Sequence, residues 1–317
     1  MTISSDEFKR RIAEGVMAFP ATAFDGDGAF APTTFARHVA ALAAHRPCAL
    51  VPAGGAGELF SLSPREHAEI CRIAVAEGAG LPVIAGVGQG VAIACETARA
   101  AEAAGADGLL VFPPYLIAAE QEGLLAYLTA VCRAVGIGVM AYSRNNGILA
   151  PETAARLAEA CPNFVALKDG AGDFEALLTL RRLAGDRLTI VNGVPTAEII
   201  ASQCFAAGIR SYSSAVFSFL PEFALGYYCA VRDGDRAEVD RLLDAFYVPV
   251  TGIRGRKRGY AVSIVKAGLR LAGRDVGPVR PPLVELAPRD SDELGTLIAW
   301  AKDDLARRAR GESEAAE

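Results

Sequence analysis

The sequence predicts an α/β fold, a (β/α)8 TIM barrel with a C-terminal helical extension. Three observations lead to this prediction. Short apolar runs alternate with longer helical patterns from Gly15 to about Ala230, eight such runs occur, and the alternation stops after about Gly234. Near-continuous runs of Val, Ile, Leu and Ala are typical of strands covered on both faces. Eight strand–helix units in a row favour a closed parallel barrel.

The predicted strands are short and evenly spaced along the chain. They are residues 15–22, 48–54, 82–88, 108–114, 138–143, 164–169, 188–193 and 209–215. An open doubly wound sheet is the alternative architecture. Such a sheet usually carries a glycine-rich dinucleotide-binding turn after its first strand, and Pro20-Ala21-Thr22 is not such a turn.

Helix start and stop signals separate these strands. Ser63-Pro64-Arg65-Glu66 combines an N-cap, a proline in the first turn and a glutamate at the third helical position. Ala150-Pro151 and Val194-Pro195 are similar starts, and glycines such as Gly105 mark helix ends.

The last part of the chain has only helical patterns, near 235–247, 258–272 and 291–309. We therefore expect two units, residues 1–233 as the barrel with the active site and 234–317 as a helical extension packed on it. Residues 311–317 are expected to be frayed.

Composition restricts the function classes. The chain has 317 residues, 52% hydrophobic, with a net charge of −5 and a pI near 5.4, which argues against nucleic acid or an anionic membrane as a partner. The N-terminus has no apolar signal region, and the apolar stretches end well before the roughly 18 residues of a membrane span. The seven cysteines include no CxxC pair, so we expect reduced thiols, a cytoplasmic location and no metal site.

In a (β/α)8 barrel the active site is built at the carboxyl ends of the strands. Lys168 directly follows the apolar run FVAL, so its Cα should lie in the barrel wall. Burial there lowers the pKa of a lysine and favours the free amine that a Schiff-base nucleophile requires. The alternative is a structural lysine paired with Asp169 or Glu58.

Other polar groups fall at the same end of the barrel. Tyr142, one strand earlier, could exchange protons with a carbinolamine on Lys168, or its ring could simply pack in the barrel. The loop 54–58 could hold a carboxylate on its backbone N–H groups, although such glycine-rich turns also occur for steric reasons. Arg144 could clamp a second carboxylate or form a loop ion pair. The basic run Arg254, Arg256, Lys257 and Arg258 is expected to be a solvated or inter-helix face, and a functional role is the alternative.

Seven segments together carry a family resemblance. They are GGAGELFSLS (54–63), FPPYL (112–116), YSRNN (142–146), KDGAGD (168–173), NGVPTAE (192–198), YSSAVFSF (212–219) and RKRGYAVSIVKAGLRLAGRDVGPVRPPL (256–283). With them the chain resembles the dihydrodipicolinate synthase / N-acetylneuraminate lyase superfamily over nearly its whole length. Within that superfamily it is most similar to the 5-dehydro-4-deoxyglucarate dehydratase family.

The resemblance implies a role for each matched residue. Lys168 would form the Schiff base, Tyr142 would be the general acid/base, and Gly55, Ala56 and Gly57 would bind the α-carboxylate of the substrate. Gly193 and Ser213 would line the pocket. The family ordinarily has threonine at the position of Ala56 and asparagine at that of Ser143, so a hydrogen bond to the carboxylate or to Tyr142 is missing here.

The implied reaction is a decarboxylating dehydration. A small dicarboxylic keto acid, 5-dehydro-4-deoxy-D-glucarate, would give 2,5-dioxopentanoate, water and CO2 through the lysine imine. The resemblance also implies a homotetramer that uses no metal or organic cofactor. Two alternatives stay open: aldol cleavage or condensation of another 2-keto acid by the same Schiff base, and a non-catalytic ligand-binding homologue.

Overall fold

A computed structural model describes residues 3–310 of the chain. The expectation about residues 311–317 therefore lies outside the described residues. The eight strands are β1 (Glu14–Ala18), β2 (Ala49–Leu50), β3 (Ile84–Val87), β4 (Gly108–Val111), β5 (Gly138–Ser143), β6 (Phe164–Asp169), β7 (Thr189–Asn192) and β8 (Arg210–Ser214).

The strands form a (β/α)8 barrel. All pairings are parallel, in the order β2-β1-β8-β7-β6-β5-β4-β3. A parallel bridge between Leu50 and Val83 joins the two ends of this order. The predicted fold class is confirmed, and each strand lies inside its predicted run except that β1 begins one residue early.

Helices cover the outside of the barrel. They are α1 (Ser5–Arg11), α2 (Pro32–Ala43), α3 (Pro64–Glu77), α4 (Val91–Ala103), α5 (Gln121–Ala134), α6 (Pro151–Ala160), α7 (Phe174–Ala184), α8 (Ala201–Ala206) and α9 (Pro221–Asp233). The predicted capping box of α3 is present, with Ser63 and Glu66 bonding each other's backbone N–H groups. The helix start predicted at Val194-Pro195 lies further along the chain in the structure. A 3-10 turn (Ala197–Ile200) comes first, and α8 begins after it at Ala201.

Helix α1 was not predicted, and it fills one end of the barrel. Phe8 is fully buried among interior side chains such as Met17, Ile84 and Met140. Its ring lies so close to β4 and β5 that a Cβ at Gly108 or Gly138 would come within 2.5 Å of it. Glycine is required at these two strand starts because the ring occupies the space of a side chain.

The remaining helices follow α9 in an extension. They are α10 (Arg236–Leu242), a π-helical turn (Leu243–Tyr247), α11 (Val248–Gly255), α12 (Tyr260–Leu271) and α13 (Pro288–Ala309). The sequence predicted three of these helices and missed α11. One buried cluster contains Val16 of β1 together with Phe246 and Ile264 of the extension. The division at residues 233 and 234 stays a prediction.

Candidate active site

Seven of the eight predicted site residues line one cavity of about 410 Å³, which has the size of a small-molecule site. They are Gly55, Ala56, Tyr142, Arg144, Lys168, Gly193 and Ser213. All of them lie at or just beyond the carboxyl ends of strands, as the barrel architecture requires. The eighth, Gly57, does not line the cavity.

Lys168 and Tyr142 meet at a shared backbone oxygen. They are directly paired neighbours on β6 and β5, so their side chains leave the sheet on the same face. The Tyr142 hydroxyl donates to the Gly193 carbonyl oxygen at 2.9 Å, and the Lys168 Nζ donates to the same oxygen at 3.3 Å. The Lys168 Nζ also lies 3.6 Å from the centroid of the Tyr142 ring. Amine and phenol are thereby held at one point of the cavity.

The surroundings of Lys168 favour its neutral form. The side chain is 3% exposed, and among the described residues no carboxylate forms an ion pair with it. Burial lowers the pKa of Lys168, the charge of Arg144 lowers it further, and Tyr142 and Asp169 only partly oppose this. The alternative of a structural lysine paired with Glu58 is wrong, because Glu58 pairs with Lys266 at 2.8 Å. Asp169 accepts instead from the backbone N–H groups of Ala171 and Gly172.

Tyr142 is poised to exchange a proton. Burial raises its pKa, but Arg144 and the protonated form of Lys168 together outweigh burial and leave the pKa below its usual value. The permanent part of that effect comes from Arg144, whose Nη1 donates to the Tyr142 hydroxyl at 3.2 Å. A phenol that receives one hydrogen bond and donates another can pass a proton in either direction. Arg144 thus donates a hydrogen bond to Tyr142 in a site where Ala56, unlike a threonine at that position, has no hydroxyl that could do so.

Hydrogen bonds hold the glycine loop after β2, residues 54–58, in place from both sides. The Gly57 carbonyl accepts from the buried Thr22 hydroxyl at 2.6 Å, and a Cβ at Gly57 would lie about 3.0 Å from the backbone nitrogen of Ala53. Glu58 is completely buried, has the left-handed φ of 56°, and accepts from the Arg280 backbone N–H at 3.0 Å. Glu58 therefore anchors the loop to the C-terminal extension and does not face the cavity.

The residues of the basic run 254–258 have different surroundings in the structure. Arg256 bonds Asp290 at 2.6 Å and Glu293 at 2.7 Å, and Lys257 stacks on the Tyr260 ring. These two and the exposed Arg258 fit the expected solvated or inter-helix face. Arg254 does not, because it is half-buried and lines the cavity with Lys168.

Sequence reasoning also missed Thr196 and Ser214, which line the same cavity. Thr196 lies in the segment NGVPTAE but in a loop beyond the end of β7, where a search of strand ends does not reach, and it has a left-handed φ of 54°. Ser214 is the last residue of β8. It donates to the buried carboxylate of Glu198 at 2.5 Å.

Within residues 3–310, no group of three or more His, Cys, Asp or Glu side chains is arranged as a metal site. No helix in the same part of the chain is long and apolar enough to cross a membrane.

The chain is similar to curated bacterial proteins over nearly its whole length. A protein of Rhizobium rhizogenes, described as a probable 5-dehydro-4-deoxyglucarate dehydratase, is 48% identical over 93% of this chain and 98% of its own. Proteins of the same description from Methylobacterium radiotolerans and Saccharopolyspora erythraea are each 50% identical, over 92% and 93% of this chain and 96% and 95% of their own.

Solved structures show the same architecture. Dihydrodipicolinate synthase from Bacillus clausii superimposes with a TM-score of 0.84 at 25% identity, covering 93% of this chain and 99% of that one. A sequence model of the dihydrodipicolinate synthetase family matches residues 12–301. The chain therefore belongs to the dihydrodipicolinate synthetase family.

Proposed function

We propose that this chain is a decarboxylating dehydratase that converts 5-dehydro-4-deoxy-D-glucarate to 2,5-dioxopentanoate, water and CO2. The observation that carries the proposal is the meeting of the Lys168 amine and the Tyr142 hydroxyl on the Gly193 carbonyl oxygen. Relatives described as probable dehydratases of this substrate, about half identical over nearly all of the chain, support the choice of reaction.

The reaction begins at Lys168. Its neutral amine attacks the substrate's keto carbon, and the resulting carbinolamine loses its oxygen as water to give a protonated imine. Tyr142 donates the proton that this hydroxyl needs to leave. Gly55 and Ala56 border the cavity where the α-carboxylate would lie, and Ser213 contributes to the same wall.

The imine then drives both bond cleavages. It acidifies the neighbouring CH2, and removal of one proton gives an enamine that expels the β-hydroxyl as water. The new C=C bond is conjugated with the imine and attached to the carbon that bears the distal carboxylate. When CO2 leaves from that carbon, its bonding electron pair passes through the C=C bond to the imine nitrogen. Reprotonation and hydrolysis release 2,5-dioxopentanoate and return the free amine of Lys168.

Product analysis separates this reaction from aldol cleavage by the same imine. A dehydratase yields CO2 and 2,5-dioxopentanoate, whereas cleavage between the α- and β-carbons of the same substrate yields pyruvate and tartronate semialdehyde. The proposal expects the first pair from the wild type and no product from Lys168→Ala. Lys257→Ala removes an exposed lysine outside the site and is expected to keep activity. Pyruvate as the product would overturn the proposed reaction.

We also propose a cytoplasmic homotetramer. The loop after β4 exposes Tyr115, Leu116 and Ile117, with Leu116 90% exposed. Adjacent exposed apolar side chains of this size are typical of an interaction surface. All seven cysteines are free, as expected for a reducing compartment. Sedimentation of the purified protein tests the assembly state.

A further inference from the structure

Two arginines face the cavity without a carboxylate partner. Arg254 and Arg144 both line it, and among residues 3–310 neither forms an ion pair with Asp or Glu. The hydrogen bond of Arg144 goes to the Tyr142 hydroxyl. Burial lowers the pKa of Arg254, and the like charge of Arg144 lowers it further. Two half-buried cations that repel each other raise the energy of the empty site.

The fold holds Arg254 in this position. Helix α11 is fixed to the loop after β7 by a hydrogen bond of 3.1 Å between the Thr251 and Thr196 hydroxyls. Thr251 lies one turn before Arg254 on α11, and Thr196 lines the cavity itself. Arg254 therefore lies on a helix that is hydrogen-bonded to Thr196, three residues after Gly193.

The acidic group that acts on Arg254 is a poor counter-ion. Glu198 is buried and holds the Ser214 hydroxyl at 2.5 Å. Burial raises the pKa of Glu198 to about 7, so the carboxyl group is partly protonated at neutral pH. The positive charge of Arg254 is thus left largely for a ligand.

We propose that Arg254 acts with Arg144 to bind the carboxylate at the far end of the substrate, which makes the site selective for dicarboxylates. This inference rests on the proposed function, in which a dicarboxylic keto acid forms an imine on Lys168. A carboxylate has four lone-pair positions on two oxygens and can accept from two guanidinium groups at once. A neutral hydroxymethyl group at the same end cannot compensate the two charges.

The test compares two substrates in two variants. The substrates are 5-dehydro-4-deoxyglucarate and its analogue with a terminal CH2OH in place of the distal carboxylate, 2-keto-3-deoxygluconate. The readout is the concentration of each that gives half-maximal borohydride-trapped adduct on Lys168. Arg254→Gln removes the charge from the cavity, and Arg258→Gln removes an equal charge from an exposed position of the same segment.

Arg254→Gln is expected to raise the half-saturating concentration of the dicarboxylate by about ten- to a hundredfold, the range for a lost hydrogen bond to a charged group. The monocarboxylate is expected to change by less than about twofold. Arg258→Gln should change neither half-saturating concentration. Arg254→Lys keeps the charge, so its half-saturating concentration for the dicarboxylate should lie between those of Arg254→Gln and the wild type. An unchanged melting temperature in Arg254→Gln shows that the variant is folded.

An equal loss for both substrates, or no loss for either, would overturn the inference while leaving the proposed function standing. Failure of the proposed function is visible separately in the wild type, as trapped adduct without CO2. If the wild type traps neither keto acid, both proposals fall.

Discussion

The buried ion pair between Glu58 and Lys266 gives the sharpest test of how the glycine loop is held. Both side chains are 0% exposed, and their charged atoms lie 2.8 Å apart. Lys266 also donates to the Pro278 carbonyl oxygen at 2.6 Å, and burial lowers its pKa. Replacing it with Met keeps an apolar stem of similar length but leaves the buried carboxylate of Glu58 without its counter-ion.

The expected loss follows from the burial of the pair. Both side chains are fully buried, and removing one partner of a buried ion pair leaves an uncompensated charge that costs about 3–5 kcal/mol.

Lys266→Met should therefore lower the free energy of unfolding by about 3–5 kcal/mol at pH 7. Glu58→Gln leaves a buried lysine whose pKa burial lowers, so its loss of stability should shrink as pH rises and the amine gives up its proton. Urea unfolding at a fixed protein concentration measures both losses. The double variant should lack this pH dependence.

A loss below about 1 kcal/mol for Lys266→Met at pH 7 would refute this reasoning. That result would mean that water or another cation reaches Glu58 and that the loop does not depend on the pair.

Two further variants address the cavity, and a third addresses the buried Glu198, which accepts from Ser214 in the cavity wall. Tyr142→Phe should lower kcat by about 10²- to 10⁴-fold, the usual contribution of a general acid/base. An adduct on Lys168 should still be trapped, but slowly. A kcat within threefold of wild type would show that the tyrosine has no part in the mechanism. Gly193→Ala would place a Cβ 2.5 Å from Cγ and 2.6 Å from Nζ of Lys168, so steady-state assays should find little activity, whereas Gly226→Ala, with open space around it, should be unaffected. Because burial raises the pKa of Glu198 to about 7, the folded state binds the extra proton and loses stability as pH rises from about 4.5 to 7. In urea unfolding, the free energy of unfolding of Glu198→Gln relative to that of the wild type should therefore rise by about 3 kcal/mol from pH 4.5 to pH 8. A difference that does not change with pH would contradict burial of Glu198 as the cause.

The sequence predicted the barrel well because its strands are buried on both faces and leave short apolar runs that turn signals separate from the longer helical patterns. It also placed Lys168 and Tyr142 correctly, because a polar residue directly after such a run must lie at the strand's carboxyl end. Helix α1 was missed because a single buried residue, Phe8, gives no periodicity. Helix α11 was missed because Pro249 and Gly252 interrupt its apolar pattern.

The failures at the site have a different physical origin. Arg254 belongs to a run of charges that is usually solvated, but α11 is hydrogen-bonded through Thr251 to the loop after β7, and Arg254 lines the cavity there. The partner of Glu58 is equally invisible in the sequence, because Lys266 lies on a helix of the extension far along the chain. Local patterns report burial and periodicity, whereas both of these contacts depend on the packing of distant elements.

Borohydride trapping tests the central claim most directly. The purified protein would be incubated with 5-dehydro-4-deoxyglucarate, reduced, and analysed by mass spectrometry of the intact chain and its peptides. Our account predicts one adduct for each chain, located on Lys168, together with CO2 and 2,5-dioxopentanoate in a parallel unreduced sample. Full product formation with no adduct on Lys168, or undiminished activity in Lys168→Ala, would contradict the Schiff-base mechanism.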